Sequence, residues 1–287
     1  MTFWQAAVIG LLQGATELFP VSSLGHAVIL PTLLHWSYRQ SDPSFLPFLV
    51  LLHLGTAGAL LVLFWRDWVE IVKGFFTAAV RGRIKAPNER LAMLLVVGTV
   101  PTGAVGVFFQ SALQKLFANP RFAAGALIVN GVILLGAEVL RRRAERRANL
   151  RQRDREDQEA AFGEMGGLTF RAAILVGLCQ VLALFPGISR SGATISGGLV
   201  AGLRHQEAAR FSFLLATPII GAAGVLEVSN LFKPGVPLPS YLVAALLAGL
   251  AAYASARFLV GYFRSGRLDP YGWYCLAAGA GSLLLLR

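Results

Sequence analysis

The sequence predicts an all-α polytopic membrane protein: six transmembrane helices plus two re-entrant helix hairpins arranged as an inverted repeat. Three observations carry this. Hydrophobic residues make up 55% of the chain and charged residues only 14%, more apolar surface than a soluble core needs but what a lipid-facing bundle requires. Apolar runs near the ~20 residues that cross a bilayer lie at about 45–65, 90–110, 121–140, 207–229, 240–261 and 270–286. Two further apolar stretches, 3–35 and 168–204, are each interrupted by a Phe-Pro step, which leaves halves too short to cross.

The first interruption is Phe19-Pro20-Val21-Ser22-Ser23 and the second is Phe185-Pro186-Gly187-Ile188-Ser189-Arg190-Ser191. Proline lacks the N–H that would continue the helical ladder. A helix–break–helix unit that enters and leaves on one face is therefore expected at both places, in preference to a kinked full span. The two regions look like copies, since GLLQGATELFPVSS parallels GLCQVLALFPGIS with a one-residue shift before the shared Phe-Pro. Three crossings separate them, an odd number, so the hairpins enter from opposite faces. The chain is read as one membrane domain, 1–287. A first repeat half spans 1–140, a charged cytoplasmic link 141–167 and a second half 168–287. A weaker echo joins TVPTGAVGV around Pro101 to ATPIIGAAGV around Pro218.

Basic residues orient this topology. Of 26 Lys and Arg, twenty fall in the links 66–90, 141–171, 204–210 and 257–267, which lie on one side. Lys and Arg are retained on the cytoplasmic side, so both chain ends and the mouth of the first hairpin are expected in the periplasm. The net charge of +11 is thus a topology signal, and no nucleic-acid-reading motif accompanies it. Within 141–165, Asp154, Glu156, Asp157 and Glu159 alternate with arginines as on a solvated helix end. Cys179 and Cys275 stand singly in apolar runs, which argues against a disulfide framework or a zinc site. The first residues lack the basic region and small-residue cleavage pattern of a signal peptide, so this segment is expected to be retained. Trp36, Trp65, Trp68 and Trp273 fall near span ends, where aromatic belts form.

Ionisable groups inside apolar segments cost at least ~2.5 kcal/mol on insertion scales and so invite a functional reading. In the first hairpin these are Glu17 and His26, accompanied by Gln13, Ser22 and Ser23. Gln13 and Glu17, four apart, share a helix face. Ser22 or Ser23 would cap the next half-helix, with His26 on its first turn. In the second hairpin Ser189 or Ser191 caps the returning half-helix, Arg190 stands at its start and Thr194 one turn in. Both breaks then put a helix N-terminus deep in the membrane, where free N–H groups and the positive dipole end favour an anion. Arg190 suits bidentate phosphate binding. Glu17 can act as a base or hold a divalent ion. His26 can be the nucleophile, or the acid/base that activates Ser23. Together these are the parts of phosphoryl transfer.

Gln13-Gly14-Ala15-Thr16-Glu17, followed by Phe19-Pro20-Val21-Ser22-Ser23-Leu24-Gly25-His26, resembles the first signature of the undecaprenyl-pyrophosphate phosphatase family. The run Pro186-Gly187-Ile188-Ser189-Arg190-Ser191-Gly192-Ala193-Thr194 is similar to its second signature. The likeness covers essentially the whole chain. It implies an enzyme of the bacterial inner membrane, an undecaprenyl-diphosphate phosphatase. Such an enzyme removes the terminal phosphate of the C55 isoprenoid pyrophosphate, regenerates the monophosphate carrier lipid for cell-wall synthesis and confers bacitracin resistance. It also implies a divalent cation, Mg or Ca, and a site open to the periplasm. By motif match Glu17, Ser23, His26 and Arg190 inherit the catalytic assignment, with Glu17 also the metal ligand. Gln13, Ser22, Ser189, Ser191 and Thr194 inherit supporting, phosphate-binding roles. Gln13 stands where many members carry a glutamate, a departure that bears on the metal site. The expected partners are undecaprenyl pyrophosphate and the bilayer, with no nucleic acid; oligomeric state is left open, a homodimer included.

Plainer readings stand beside these. The four break serines could be caps only, and Glu17 with Arg190 a structural ion pair. His53, in LLHLGT, reads as a satisfied packing residue, and His35 and His205 as boundary residues facing water or headgroups. Gly197, Gly198 and Gly202 read as sites of close helix packing. The competing function is a transporter or flippase of an anionic or isoprenoid-phosphate substrate, since inverted repeats with broken helices also build carriers. The SSxGH segment is surplus to transport.

Overall fold

The computed structural model describes residues 1–36, 44–117, 119–153, 165–227, 231 and 237–286. Among them it is all-helical. Helices α1 (Phe3–Glu17) and α2 (Ser23–Leu33) form the first broken unit, and α8 (Phe170–Val181) and α9 (Arg190–Val200) the second. Between them come α3 (Phe45–Leu63), α4 (Trp65–Arg81), α5 (Pro87–Phe108), α6 (Gln110–Phe117) and α7 (Pro120–Arg153); α10 (His205–Glu227), α11 (Leu238–Tyr262) and α12 (Asp269–Leu285) close the chain. Five of these (α3, α5, α7, α10 and α11) are long and apolar enough to cross a membrane. The sixth apolar run, α12, is a helix of 17 residues, about 25 Å at 1.5 Å per residue.

Small residues decide how the helices pack. A Cβ on Gly10 or Gly14 of α1 would lie 2.4 and 2.1 Å from the carbonyl oxygens of Ala244 and Ala248 in α11, so the two backbones touch and run in the same direction. On the other side of the molecule a Cβ on Gly177 of α8 would meet the Gly98 carbonyl of α5 at 2.4 Å. Without a hydrophobic drive in lipid, this close approach is what holds membrane helices together. It also interlocks the halves: the first arm of each broken unit packs on a helix from the opposite half. The outward faces carry Val62, Val100, Phe108, Leu246, Leu250 and Trp273, all exposed, as a lipid-facing surface requires.

One of the basic links differs from the plain connection expected. Most of 66–90 is α4, an amphipathic helix that turns Ile71, Gly74 and Ala78 inward and ties Asp67 to Arg210 at the start of α10. The first part of 141–167 continues α7 as helix to Arg153, in keeping with a helix end. Asp154, Glu156, Asp157 and Glu159, and Arg39, Arg155, Lys233 and Arg287 from the charge count, lie outside the described residues. His205 corrects a reading: it does not face water but sits 2.9 Å from Glu138 Oε2 of α7. Glu138 is buried and also accepts from the Leu268 backbone N–H. A buried carboxylate needs such partners, and here they pin α7, α10 and the start of α12 together at one end of the bundle.

Candidate active site

Each break is shaped by its own sequence before it meets the other. At the end of α1 the chain turns at Pro20, and Ser22 adopts φ 66°, ψ 90°. That is a conformation non-glycine residues rarely hold, costing on the order of 1–3 kcal/mol. Ser22 Oγ then caps α2, accepting from Gly25 N at 3.2 Å. In the second break Gly187 takes φ +103°, the left-handed side open to glycine, and Ser189 Oγ caps α9 by accepting from Gly192 N at 3.1 Å. Ser22 and Ser189 are thus the caps, which leaves Ser23 and Ser191 free for other partners.

The two breaks are fastened to each other. Ser191 Oγ donates to the Phe19 carbonyl at 3.0 Å, and Ser189 Oγ lies 3.4 Å from the same oxygen. Asn130, fully buried on α7, completes the clasp. Its Nδ2 donates to the Pro20 carbonyl at 2.9 Å and its Oδ1 accepts from Ser189 N at 3.0 Å. A proline break and a helix start both leave backbone groups unpaired, and one amide side chain satisfies a group from each. Asn130 was not singled out in the sequence, although a lone Asn inside an apolar span is itself a signal.

At the junction sits Glu17. Its Oε1 accepts from Arg190 Nη2 at 3.1 Å and Nε at 3.3 Å. Its Oε2 accepts from Ser23 Oγ at 2.5 Å and Gln13 Nε2 at 2.9 Å, and lies 3.3 Å from His53 Nε2. His53 therefore departs from the packing role read in the sequence. It comes from α3, and its Nδ1 lies 2.7 Å from the Leu49 carbonyl. Both ring nitrogens face acceptor oxygens, an arrangement that a doubly protonated ring satisfies. Nothing in a one-dimensional reading of LLHLGT says which helix face meets Glu17. Arg190 also donates to the Ser212 carbonyl at 3.3 Å, and Thr194 Oγ1 lies 2.6 Å from Ser212 Oγ. Thr194 thus secures the α9–α10 contact behind the arginine.

His26 stands apart. Its Nδ1 is 2.7 Å from the Ser22 carbonyl and its Nε2 is 2.7 Å from the Tyr274 hydroxyl. Glu17, Ser22, Ser23, His53, Ser189 and Arg190 line one chamber of about 310 Å³; His26 does not. The rest of its wall is mostly apolar, from Leu46 and Leu49 of α3, Gly106 and Val107 of α5, and Ile219 and Leu226 of α10, among others. A charged, hydroxyl-bearing floor under apolar walls suits an amphiphile whose head is anionic.

A divalent cation would find two side-chain oxygens to draw on beside this junction. Glu17 is the carboxylate, and Gln13 Oε1, buried with no hydrogen-bond partner among the described residues, is an oxygen on the side chain that touches it. Hard cations take such oxygens and complete their shell with phosphate and water. Among the described residues no three His, Cys, Asp or Glu gather as a metal-binding group.

Comparison with known proteins gives a consistent picture. Residues 6–281 match the family described as bacitracin resistance protein BacA. The undecaprenyl-diphosphatase of Mycolicibacterium paratuberculosis is 46% identical over 298 residues, covering 100% of this chain and 98% of that protein. The undecaprenyl-diphosphatase of Acidiphilium cryptum is 46% identical, covering 100% and 99%, and that of Granulibacter bethesdensis 47%, covering 98% and 96%.

Proposed function

The chain belongs to the bacitracin resistance protein BacA family, and from that membership we propose that it is a membrane-embedded undecaprenyl-diphosphatase whose catalytic floor is the Glu17–Ser23–Arg190 junction. The activity releases the terminal phosphate of undecaprenyl diphosphate and returns the monophosphate carrier lipid. The observation that carries the site is the pairing of Arg190 with Glu17 across the two breaks, 3.1 Å apart, with the Ser23 hydroxyl on the same carboxylate. Substrate would take the guanidinium from Glu17 and leave that carboxylate to Ser23.

The chemistry then follows from the contacts. Arg190 and the free N–H groups at the starts of α2 and α9 receive the terminal phosphate's negative oxygens. Ser23 Oγ gives its proton to Glu17 and attacks the terminal phosphorus. The P–O bond to the bridging oxygen breaks and the lipid monophosphate departs. Water then cleaves the phosphoserine to inorganic phosphate, with Glu17 returning the proton. His53 beside Glu17 steadies that carboxylate between its two charge states. Direct attack by water, oriented by the same Glu17, is the competing route. Glu17 and Gln13 would hold a Mg or Ca ion, which neutralises phosphate charge when bound.

The helix directions together with the charge count support one orientation. Chamber residues lie in the first half of α3 and the second halves of α5 and α10. All three are the ends remote from the basic links 66–90 and 204–210. With those links cytoplasmic, the chamber opens toward the periplasm. The same frame supports two re-entrant hairpins. Arg90 at the start of α5 donates to the Leu168 carbonyl just before α8, and α9 ends within five residues of the start of α10, so the second unit begins and ends on the cytoplasmic side. With α12 as the sixth crossing, both chain ends fall in the periplasm.

Two experiments bear on this. Purified protein in detergent is expected to release inorganic phosphate from undecaprenyl diphosphate, to lose that activity in chelator and to regain it with added Mg or Ca. Turnover that persists in excess chelator would remove the cation from the scheme. No phosphate release under any condition would leave the transport reading. For the nucleophile, acid quenching during turnover is expected to trap phosphate on the peptide that contains Ser23. A label on His26 would reassign the attack.

A further inference from the structure

Building on the phosphatase reading, we propose that His26 and Tyr274 form a brace for the Ser22 turn, with Tyr274 a positioning residue for the reaction. A carbonyl only accepts, so the 2.7 Å contact from His26 Nδ1 to the Ser22 oxygen puts a proton on Nδ1. The neutral ring then offers a lone pair at Nε2, and the Tyr274 hydroxyl donates to it across 2.7 Å. The two rings are also nearly parallel, 11° apart with centroids at 5.8 Å. Both nitrogens are thereby engaged, and His26 is not among the residues that line the chamber.

What the ring does hold is Ser22, in its unfavourable left-handed conformation. That residue's carbonyl receives both the Nδ1 proton and the His26 backbone N–H, the latter at 3.2 Å, while its Oγ takes Gly25 N. A strained φ persists only where surrounding bonds over-determine it. The next residue is Ser23, so the angle at Ser22 sets where the Ser23 hydroxyl points. Tyr274, from α12 at the far end of the chain and 46% exposed, fixes the tautomer and plane of the ring from outside. The histidine three residues after Ser23 is thus accounted for as a brace.

Amide substitutions separate bracing from proton transfer. His26→Asn places an N–H near the position of Nδ1 and can keep the Ser22 bond; His26→Gln reaches toward Nε2 and cannot. Phosphate release by His26→Asn is expected to stay within about tenfold of wild type, while His26→Gln and His26→Ala lose about a hundredfold or more through misplacement of Ser23. Tyr274→Phe keeps the ring stack and is expected to lower kcat about three- to tenfold, the span of one neutral hydrogen bond, with KM within about twofold. In the His26→Asn background the same change is expected to do nothing. Asn as inactive as Ala, or Tyr274→Phe indistinguishable from wild type, overturns the brace. A wild-type protein that releases no phosphate overturns instead the reading it builds on.

Discussion

Replacing Arg190 with alanine is expected to lower phosphate release by about a thousandfold while leaving an inserted, folded protein. Removing a single preorganised donor to developing charge costs about 10²–10³ in rate, and Arg190 supplies several N–H groups with a full positive charge. The fold is expected to survive because Glu17 retains Gln13, Ser23 and His53 as partners. Those partners also make the ground-state cost of the loss modest. Arg190→Lys should rescue little, because an ammonium cannot span both the carboxylate and the Ser212 carbonyl as the fork does. Turnover by Arg190→Ala near that of wild type, measured as released phosphate against a matched thermal melt, would remove the arginine from the chemistry.

The second large effect is expected at Asn130. Asn130→Leu fills the same space but leaves the Ser189 N–H buried without its partner and the Pro20 carbonyl with the weak Cys275 thiol contact at 3.7 Å in place of an amide donor. Each orphaned group costs about 1–3 kcal/mol, so the melting temperature in detergent should fall by several degrees or more. Activity should fall further than stability does, because the clasp aligns the two breaks. Asn130→Asp is the informative companion: its oxygen can still accept from Ser189 N, but it offers no donor to Pro20. A leucine variant with wild-type melting and turnover would mean the breaks are held together by their serines and the Glu17–Arg190 pair without Asn130.

Much of the fold was legible because membrane helices announce themselves by length. The apolar runs near 45–65, 90–110, 207–229 and 240–261 correspond to α3, α5, α10 and α11 within a few residues. Both breaks fell where Pro20 and Pro186 interrupt their runs. The helix α4 was hidden because its charges, Arg66 to Arg81, read as a link unless the apolar stripe through Ile71, Gly74 and Ala78 is followed. At the candidate site, residues within the two motifs were visible because their local spacing is itself the signal. His53, Asn130 and Ser212 were not. Each reaches the junction from a long helix whose sequence gives periodicity but not rotation, and rotation is set by packing that only three dimensions provide. His26 shows the converse: adjacency in sequence to Ser23 suggested a shared task, but its ring nitrogens meet the Ser22 carbonyl and the Tyr274 hydroxyl.

The interlocked packing bears on the registry of the two breaks as well. Because α1 packs on α11 and α8 on α5, neither half can bury its glycine faces alone. That couples the positions of the two breaks to the whole bundle.

The most direct measurement is an experimental structure of the purified protein with a non-hydrolysable methylene analogue of undecaprenyl diphosphate. The terminal phosphonate should sit within about 3 Å of both the Arg190 guanidinium and Ser23 Oγ, bridging the two breaks. A phosphonate bound at one break alone, or outside the chamber, would contradict a phosphate site shared between them.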